Sequence, residues 1–171
     1  MNVADYLNDL DDDSCRSTLE KCCAATSWIE GMMGRRPFAP EDQVVLAADE
    51  VWWSLDATDW HEAFAAHPRI GDVASLRAKF ANTRDWASGE QAGVAAASTD
   101  TLEAIATAND KYFAKFGYIF IVCATGKSAD EMLALIESRL QNVPEHEVEI
   151  AAREQLKITQ LRLQKLTSDE P

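Results

Sequence analysis

Glycine and proline are scarce in this chain, with 7 glycines and 5 prolines among 171 residues. A disordered or fibrous protein would carry far more of both, so these classes are excluded. Hydrophobic residues make up 47% of the chain, which at this length is enough to bury a real core. The composition predicts one helix-rich globular domain that covers residues 1–171.

Positive charge is also in short supply. The chain has 16 Lys and Arg residues against 29 Asp and Glu residues, which gives a formal net charge of −13. Nucleic-acid phosphates and anionic lipids both need a basic protein surface. We therefore expect no nucleic acid and no membrane as the main partner, although a small anionic molecule can still bind where a few arginines converge.

Long apolar runs and targeting signals are missing as well. No run approaches the roughly 20 apolar residues that span a bilayer, and the N-terminal residues lack the basic start and apolar core of a secretory signal. We expect a soluble cytoplasmic protein, in which cysteines stay reduced. The cysteines expected to be free thiols, mostly in the core, are Cys15, Cys22, Cys23 and Cys123.

Helix-start signals recur along the chain. A Ser with Glu or Gln three residues later caps a helix N-terminus reciprocally, and Ser17, Ser88 and Ser128 fit this pattern. Pro40, followed by two acids, predicts another helix start, and Pro144 predicts the start of a long final helix. These signals predict an all-α fold of about eight helices.

One segment departs from helical periodicity. Residues 118–123 read Tyr-Ile-Phe-Ile-Val-Cys, and such aromatic and β-branched residues are typical of a buried strand. The chain offers no second strand to pair with it, so we predict an extended, buried connection whose backbone groups need partners, some of which a ligand can supply. The alternative is one turn of buried helix.

The most informative motif is HPRIGD at residues 67–72. A residue before proline is pushed out of the α region, so the helix predicted over residues 59–66 should stop and leave His67 at a helix–loop corner. Histidine is the side chain that exchanges protons near neutral pH. The alternative is that His67 only caps a helix C-terminus, where its cation suits the helix dipole.

Other chemistry-bearing patterns are few. His61 and His67 are too far out of phase on a helix to face one ligand, so we expect no metal site. Nucleophile elbows and phosphate-binding glycine loops do not occur. Glu90 and Gln91 open a predicted helix, where unpaired N–H groups favour an anion, with helix capping alone as the alternative.

In their order and spacing these motifs resemble the 2-oxo-4-hydroxy-4-carboxy-5-ureidoimidazoline (OHCU) decarboxylase family. The resemblance covers nearly the whole chain and implies cofactor-free decarboxylation of this small molecule to (S)-allantoin in urate degradation, by a homodimer. The motifs that carry it are HPRIGD at 67–72, GEQAG at 89–93, Cys22-Cys23 ahead of Trp28, RPF at 36–38, Trp60 ahead of Ala63-Phe64, Phe116-Gly117, RLQN at 139–142, EQLKI at 154–158 and LRL at 161–163.

The resemblance also implies the site residues. The catalytic set is His67, Glu90 and Arg162: an arginine fork matches a carboxylate, a histidine transfers protons, and the glutamate orients the histidine or binds substrate. Related sequences often carry serine where this chain has Ala87, one place before Ser88. The implied substrate-binding residues are Pro68, Ser88, Gln91, Phe120, Ile121 and Val122.

Two other functions remain open from the sequence. One is a helical binding or regulatory module that keeps the fold without catalysis. The other is a hydrolase of a different purine-breakdown intermediate, which could use the same acid–base residues. A pure binder has no need for His, Glu and Arg together, so the pattern favours the decarboxylase.

Overall fold

A computed structural model of the chain describes residues 1–39, 43–69, 72–78, 80 and 98–168. Within these ranges the regular structure is entirely helical, as predicted, and none of the helices is long and apolar enough to cross a membrane. The described helices are α1 (Val3–Asp9), α2 (Asp12–Cys22), α3 (Thr26–Met33), α4 (Val44–Trp53), α5 (Ala57–Ala65), α6 (residues 73–78), α7 (Thr99–Phe116), α8 (Ala129–Arg139) and α9 (Pro144–Lys165).

The chain divides into two compact units. Unit 1 comprises Met1–Ala66 and Ala152–Pro171, and unit 2 comprises His67–Ala151. The long helix α9 therefore contributes residues to both units. A single domain over residues 1–171 stays a prediction.

Polar side chains start the helices, though not always at the predicted residue. In α8, Ser128 Oγ accepts from the backbone N–H of Glu131 (3.2 Å) and Glu131 Oε2 accepts from that of Ser128 (3.1 Å), which confirms the predicted cap. The prediction at Ser17 is wrong, because Ser17 lies inside α2. That helix starts earlier, where the Asp11 carboxylate accepts from the backbone N–H of Ser14 (2.9 Å).

The remaining predicted helix starts have mixed outcomes. The final helix begins at Pro144, as predicted. Pro40 and Ser88 lie outside the described residues, and α4 is described from Val44.

Unit 1 has tryptophans in its core. Trp28 and Trp52 are 0% and 1% exposed. Their indole N–H groups donate to the backbone carbonyls of Ala48 (3.2 Å) and Ala152 (3.0 Å), as a buried indole requires. Trp28 thereby connects α3 to α4, and Trp52 connects α4 to α9.

The RPF motif at residues 36–38 holds the end of α1. Arg36 Nη2 donates to the backbone carbonyls of Leu10 (2.6 Å) and Asn8 (3.1 Å). The Asn8 side chain in turn exchanges two hydrogen bonds with the backbone of Phe38 (2.7 and 2.8 Å). This motif therefore has a structural role in unit 1.

The core of unit 2 lies among α6, α7 and α8. The partly buried side chains of Phe120 and Val122, from the connection between α7 and α8, pack against it. Residues 119–124 of that connection have no helical structure, so the buried-helix alternative is wrong. The buried residues of this core are Leu76, Leu102, Ile105, Ala108, Ala129, Met132 and Ile136.

Candidate active site

His67 follows directly on the end of α5. That helix ends at Ala65, and the backbone N–H of the capping residue Ala66 donates to the Ala63 carbonyl (3.3 Å). His67 and Pro68 are not helical; the histidine is half-buried and the proline is exposed. The predicted helix–loop corner is confirmed, and its cause is the restriction that proline imposes on the preceding residue.

Arg69 contacts side chains of α7. Its Nη2 donates to Asp110 Oδ1 (3.1 Å), and its guanidinium lies 4.4 Å from the centre of the Phe113 ring. An exposed ion pair alone contributes little, but a cation over an aromatic ring adds about 0.5–1 kcal/mol. Arg69 is thus engaged with protein groups two residues after His67.

Three of the predicted site residues, Ser88, Glu90 and Gln91, lie outside the described residues, as does Ala87. Their roles rest on the sequence. The other predicted residues are described: His67, Pro68 and Phe120 to Val122 belong to unit 2, and Arg162 belongs to unit 1.

Arg162 closes the C-terminus of another helix of unit 1. Its Nη1 donates to the backbone carbonyls of Lys21 (3.2 Å) and Cys22 (3.4 Å), the last two residues of α2. Terminal carbonyls lack an intrahelical partner, and a cation near them suits the helix dipole. Among the described residues, no acceptor hydrogen-bonds Nε or Nη2 of Arg162.

The thiols next to this contact are strongly shielded. Burial raises the pKa of Cys22 and of Cys23 from 9.0 to about 11, although the Arg162 guanidinium opposes the rise. Burial also raises the pKa of Cys15. All four cysteines are free, and only Cys123 is half-buried rather than buried, which confirms the expected core thiols.

We expect native-state alkylation at pH 8 to label Cys123 first and to spare Cys22 and Cys23. A pKa of about 11 leaves about 100-fold less thiolate at this pH than a pKa of 9, and the thiolate is the reactive form. Timed iodoacetamide labelling with peptide mapping measures the order. Protein unfolded in guanidinium is the control, in which all four sites should react at similar rates. Early labelling of Cys22 in the folded protein would contradict the shielding.

A buried ion pair joins α8 to α9 inside unit 2. Arg139 donates from Nε to Glu147 Oε1 (2.6 Å), with Nη2 also 2.6 Å from this oxygen; the two side chains are 7% and 0% exposed. The Tyr112 hydroxyl donates to the same oxygen (2.5 Å), and Asn142 Nδ2 donates to the other (2.9 Å). Removal of one member of such a pair leaves a buried charge uncompensated, which costs about 3–5 kcal/mol.

Tyr112 belongs to this network as a neutral donor. Burial, followed by the hydrogen bond to the Glu147 carboxylate, raises the pKa of its phenol. The hydroxyl therefore keeps its proton throughout the physiological range and can hold the carboxylate.

Arg139 also contacts the connection between α7 and α8. Its Nη1 donates to the Ile121 carbonyl (2.7 Å), and its guanidinium lies 4.4 Å from the centre of the Phe120 ring. This role of Arg139 could not be predicted from the sequence, because the contact spans 18 positions and no local pattern connects its ends. All three nitrogens of the Arg139 guanidinium therefore contact acceptors within unit 2.

In the described part of the chain no group of three or more His, Cys, Asp or Glu side chains could hold a metal ion. A groove of about 510 Å³ in unit 1 contains none of the predicted site residues; its lining residues are Asp49, Trp53, Arg153, Leu156, Lys157 and Gln160.

The family of this chain follows from comparison with known protein families. The sequence profile named OHCU decarboxylase matches residues 8–164. The chain belongs to the OHCU decarboxylase family. The matched range includes every predicted site residue of this family member, from His67 to Arg162, which confirms the resemblance drawn from the motifs.

Relatives of this OHCU decarboxylase family member include both longer and similar-sized proteins. It is 39% identical over 150 residues to the uric acid degradation bifunctional protein TTL of Arabidopsis thaliana, with 87% of this chain and 46% of the relative covered. The chain thus spans about half the length of that relative. It is 30% identical over 152 residues to the OHCU decarboxylase of Amia calva, with 86% of this chain and 82% of the relative covered.

A solved structure agrees with the helical fold. The crystal structure of an OHCU decarboxylase in the presence of (S)-allantoin shares 34% sequence identity with this chain. The match has a TM-score of 0.69 and covers 94% of this chain and 100% of the other. The predicted all-α fold is confirmed.

Proposed function

We propose that this chain decarboxylates OHCU to (S)-allantoin without a cofactor, as a lyase of urate degradation. The observation that carries the proposal is the match, over 94% of the chain, to an OHCU decarboxylase crystallised in the presence of (S)-allantoin. The family match over residues 8–164 supports it. In this proposal His67 is the acid–base group and Arg162 is the group that binds the carboxylate.

The substrate explains why no cofactor is required in this proposal. Its carboxylate-bearing carbon adjoins a ring C=N bond. When the bond to the carboxylate carbon breaks, carbon dioxide leaves and the electron pair passes into the C=N system. The hydroxyl on the carbon that lost carbon dioxide then gives up its proton and becomes a carbonyl. The neighbouring ring carbon, which carries the ureido group, takes a proton on one face, and the choice of face fixes the S configuration. The protein must hold the carboxylate, stabilise the developing charge and deliver the proton.

Arg162 is proposed to hold the substrate carboxylate. Its Nη1 is occupied by the α2 carbonyls, whereas Nε and Nη2 have no described acceptor. These two nitrogens form the side-on edge of the guanidinium, which binds carboxylates with parallel hydrogen bonds. Arg139 turns the same pair of nitrogens towards Glu147. The capping contact on Nη1 would keep the Arg162 guanidinium in one orientation.

His67 is proposed to transfer the proton, with Glu90 orienting it or binding the substrate hydroxyl and ureido N–H groups. Pro68, Ser88, Gln91 and the backbone of residues 120–122 are proposed to hold the substrate. Among the described residues no group hydrogen-bonds the backbone N–H or C=O of Phe120 or Val122. Backbone groups of this kind find their partners in water or in a ligand.

The proposal is tested with freshly generated OHCU. Decay of its ultraviolet absorbance and the growth of the circular dichroism of (S)-allantoin should both be faster than the spontaneous reaction, with carbon dioxide released, and EDTA should leave the rate unchanged. Binding without acceleration would favour the regulatory module, and turnover without carbon dioxide would favour the hydrolase. Loss of activity in EDTA that zinc or manganese restores would contradict a cofactor-free reaction.

We expect Glu90→Gln to lower the decarboxylation rate more than Ser88→Ala. A neutral amide cannot replace an anion that orients the histidine, whereas Ser88 stands one place away from the serine of related sequences. The measurement is kcat/KM for both variants, with circular dichroism to verify folding. A larger loss in Ser88→Ala, with folding unchanged, would instead make Ser88 a substrate ligand.

We further propose that the protein works as a cytoplasmic homodimer. The location rests on the sequence. The dimer is supported by two exposed apolar side chains on α4, Leu46 at 54% and Trp53 at 40% exposure, since exposed apolar surface favours association. Sedimentation at micromolar concentration should give twice the mass of the 171-residue chain, and a monomer there would contradict the proposal.

A further inference from the structure

We infer that Arg139 is a positioning residue for substrate binding, because it holds the backbone at Phe120 and Ile121 from inside unit 2. The inference rests on the proposed function, in which residues 120–122 bind the substrate. It adds a residue that touches none of the reacting atoms and acts only through this segment.

Among the described residues, few side chains hold the backbone of this segment. Residues 119–124 have no regular structure. The Cys123 carbonyl also accepts a hydrogen bond from a side chain, that of Lys127 (Nζ, 3.0 Å). Lys127, however, lies just beyond the same segment. The hydrogen bond from Arg139 Nη1 to Ile121 (2.7 Å) therefore connects the segment to a helix. The Phe120 ring, 4.4 Å from the same guanidinium, fixes the preceding residue.

The guanidinium can act as a rigid clamp because its opposite edge is fixed. Nε and Nη2 both lie 2.6 Å from Glu147 Oε1. A guanidinium is planar, so its orientation on the carboxylate also sets the direction of the Nη1–H bond. Glu147 is itself held by Tyr112 and Asn142. The position of the Ile121 carbonyl is thus determined by three helices, α7, α8 and α9.

Stability alone does not account for this arrangement. A buried ion pair is often no more stabilising than apolar residues of the same volume, because desolvation offsets the attraction, and its documented use is to select one conformation. Here the conformation selected is that of the backbone on which the substrate is proposed to lie.

Arg139→Lys separates positioning from stability when it is compared with Arg36→Lys. Lysine keeps the charge opposite Glu147, but its single nitrogen cannot also hold the Ile121 carbonyl and lie flat on Phe120. Arg36→Lys makes the same change in unit 1, at an arginine that also donates to backbone carbonyls. We expect Arg139→Lys to raise KM for OHCU about tenfold, the equivalent of one misplaced hydrogen bond, with kcat within about threefold. Arg36→Lys should lower Tm and leave KM unchanged.

Calorimetric titration with (S)-allantoin gives a readout that is independent of turnover. Arg139→Lys should weaken (S)-allantoin binding by about the same factor as it raises KM, whereas Arg36→Lys should not. If Arg139→Lys does not fold, the double variant Arg139→Gln/Glu147→Gln, which removes both buried charges, should fold and show the same rise in KM.

Three results would overturn the inference: unchanged KM in a folded Arg139 variant, an equal rise of KM in Arg36→Lys, or unchanged (S)-allantoin affinity in Arg139→Lys. These are distinct from failure of the proposed function. A wild-type protein that does not accelerate OHCU decay would overturn the decarboxylase assignment, whereas an active wild type with unaffected Arg139 variants would overturn only the positioning role.

Discussion

His67→Asn is expected to abolish decarboxylation while leaving the helical fold intact. The side chain is half-buried and lies at a non-helical corner after the end of α5, so the substitution neither interrupts a helix nor opens a fully buried core. Asparagine keeps a polar side chain of similar reach but cannot exchange a proton near pH 7. General acid–base groups contribute typically 10²–10⁴-fold to a rate, and we expect a loss of kcat/KM in this range.

The measurement is the decay of fresh OHCU, corrected for the spontaneous reaction, together with far-ultraviolet circular dichroism. His61→Asn is the matched control, because it makes the same change at an exposed position on α5. That control should retain nearly full activity. If His67→Asn retained activity within a few-fold of the wild type, proton transfer would have to be assigned elsewhere.

The features that sequence reasoning predicted well depend on neighbours along the chain. The end of α5 before Pro68 follows from a clash between adjacent residues. The cap at Ser128 follows from a hydrogen bond between residues three positions apart. The wrong prediction at Ser17 also has a local cause, because Asp11 caps the helix six residues earlier. A sequence can thus contain several capping patterns for one helix, of which the structure uses only one.

Contacts between distant parts of the chain could not be predicted in this way. The hydrogen bonds from Arg162 to the end of α2 span about 140 positions, and that from Arg139 to Ile121 spans 18. The sequence marks both arginines only through family motifs. The packing of the helices decides which nitrogens of each guanidinium hydrogen-bond to the protein. This choice is visible only in the structure.

Arg162→Lys should lower kcat/KM roughly 10- to 100-fold without unfolding unit 1. Hydrogen bonds to a charged group contribute about 1.5–3 kcal/mol each, and every 1.4 kcal/mol is a factor of ten. Lysine keeps a cation that can stay near the last carbonyls of α2, where the helix dipole favours it. It loses the Nε and Nη2 pair, which has no described acceptor in the protein and is proposed to hold the substrate carboxylate.

Arg153→Lys is the matched control for this prediction, since it makes the same change on α9 at another exposed position. Steady-state kinetics should be unaffected in the control and strongly impaired in Arg162→Lys. The resistance of Cys22 to alkylation should persist in both variants, because it comes from burial, which raises the pKa of this thiol, and neither substitution uncovers it. Unchanged kinetics in Arg162→Lys would reduce Arg162 to a cap for α2. Arg69 and Arg139 would be poor replacements, because Asp110 and Glu147 already engage them, so the carboxylate would need a partner of a different kind.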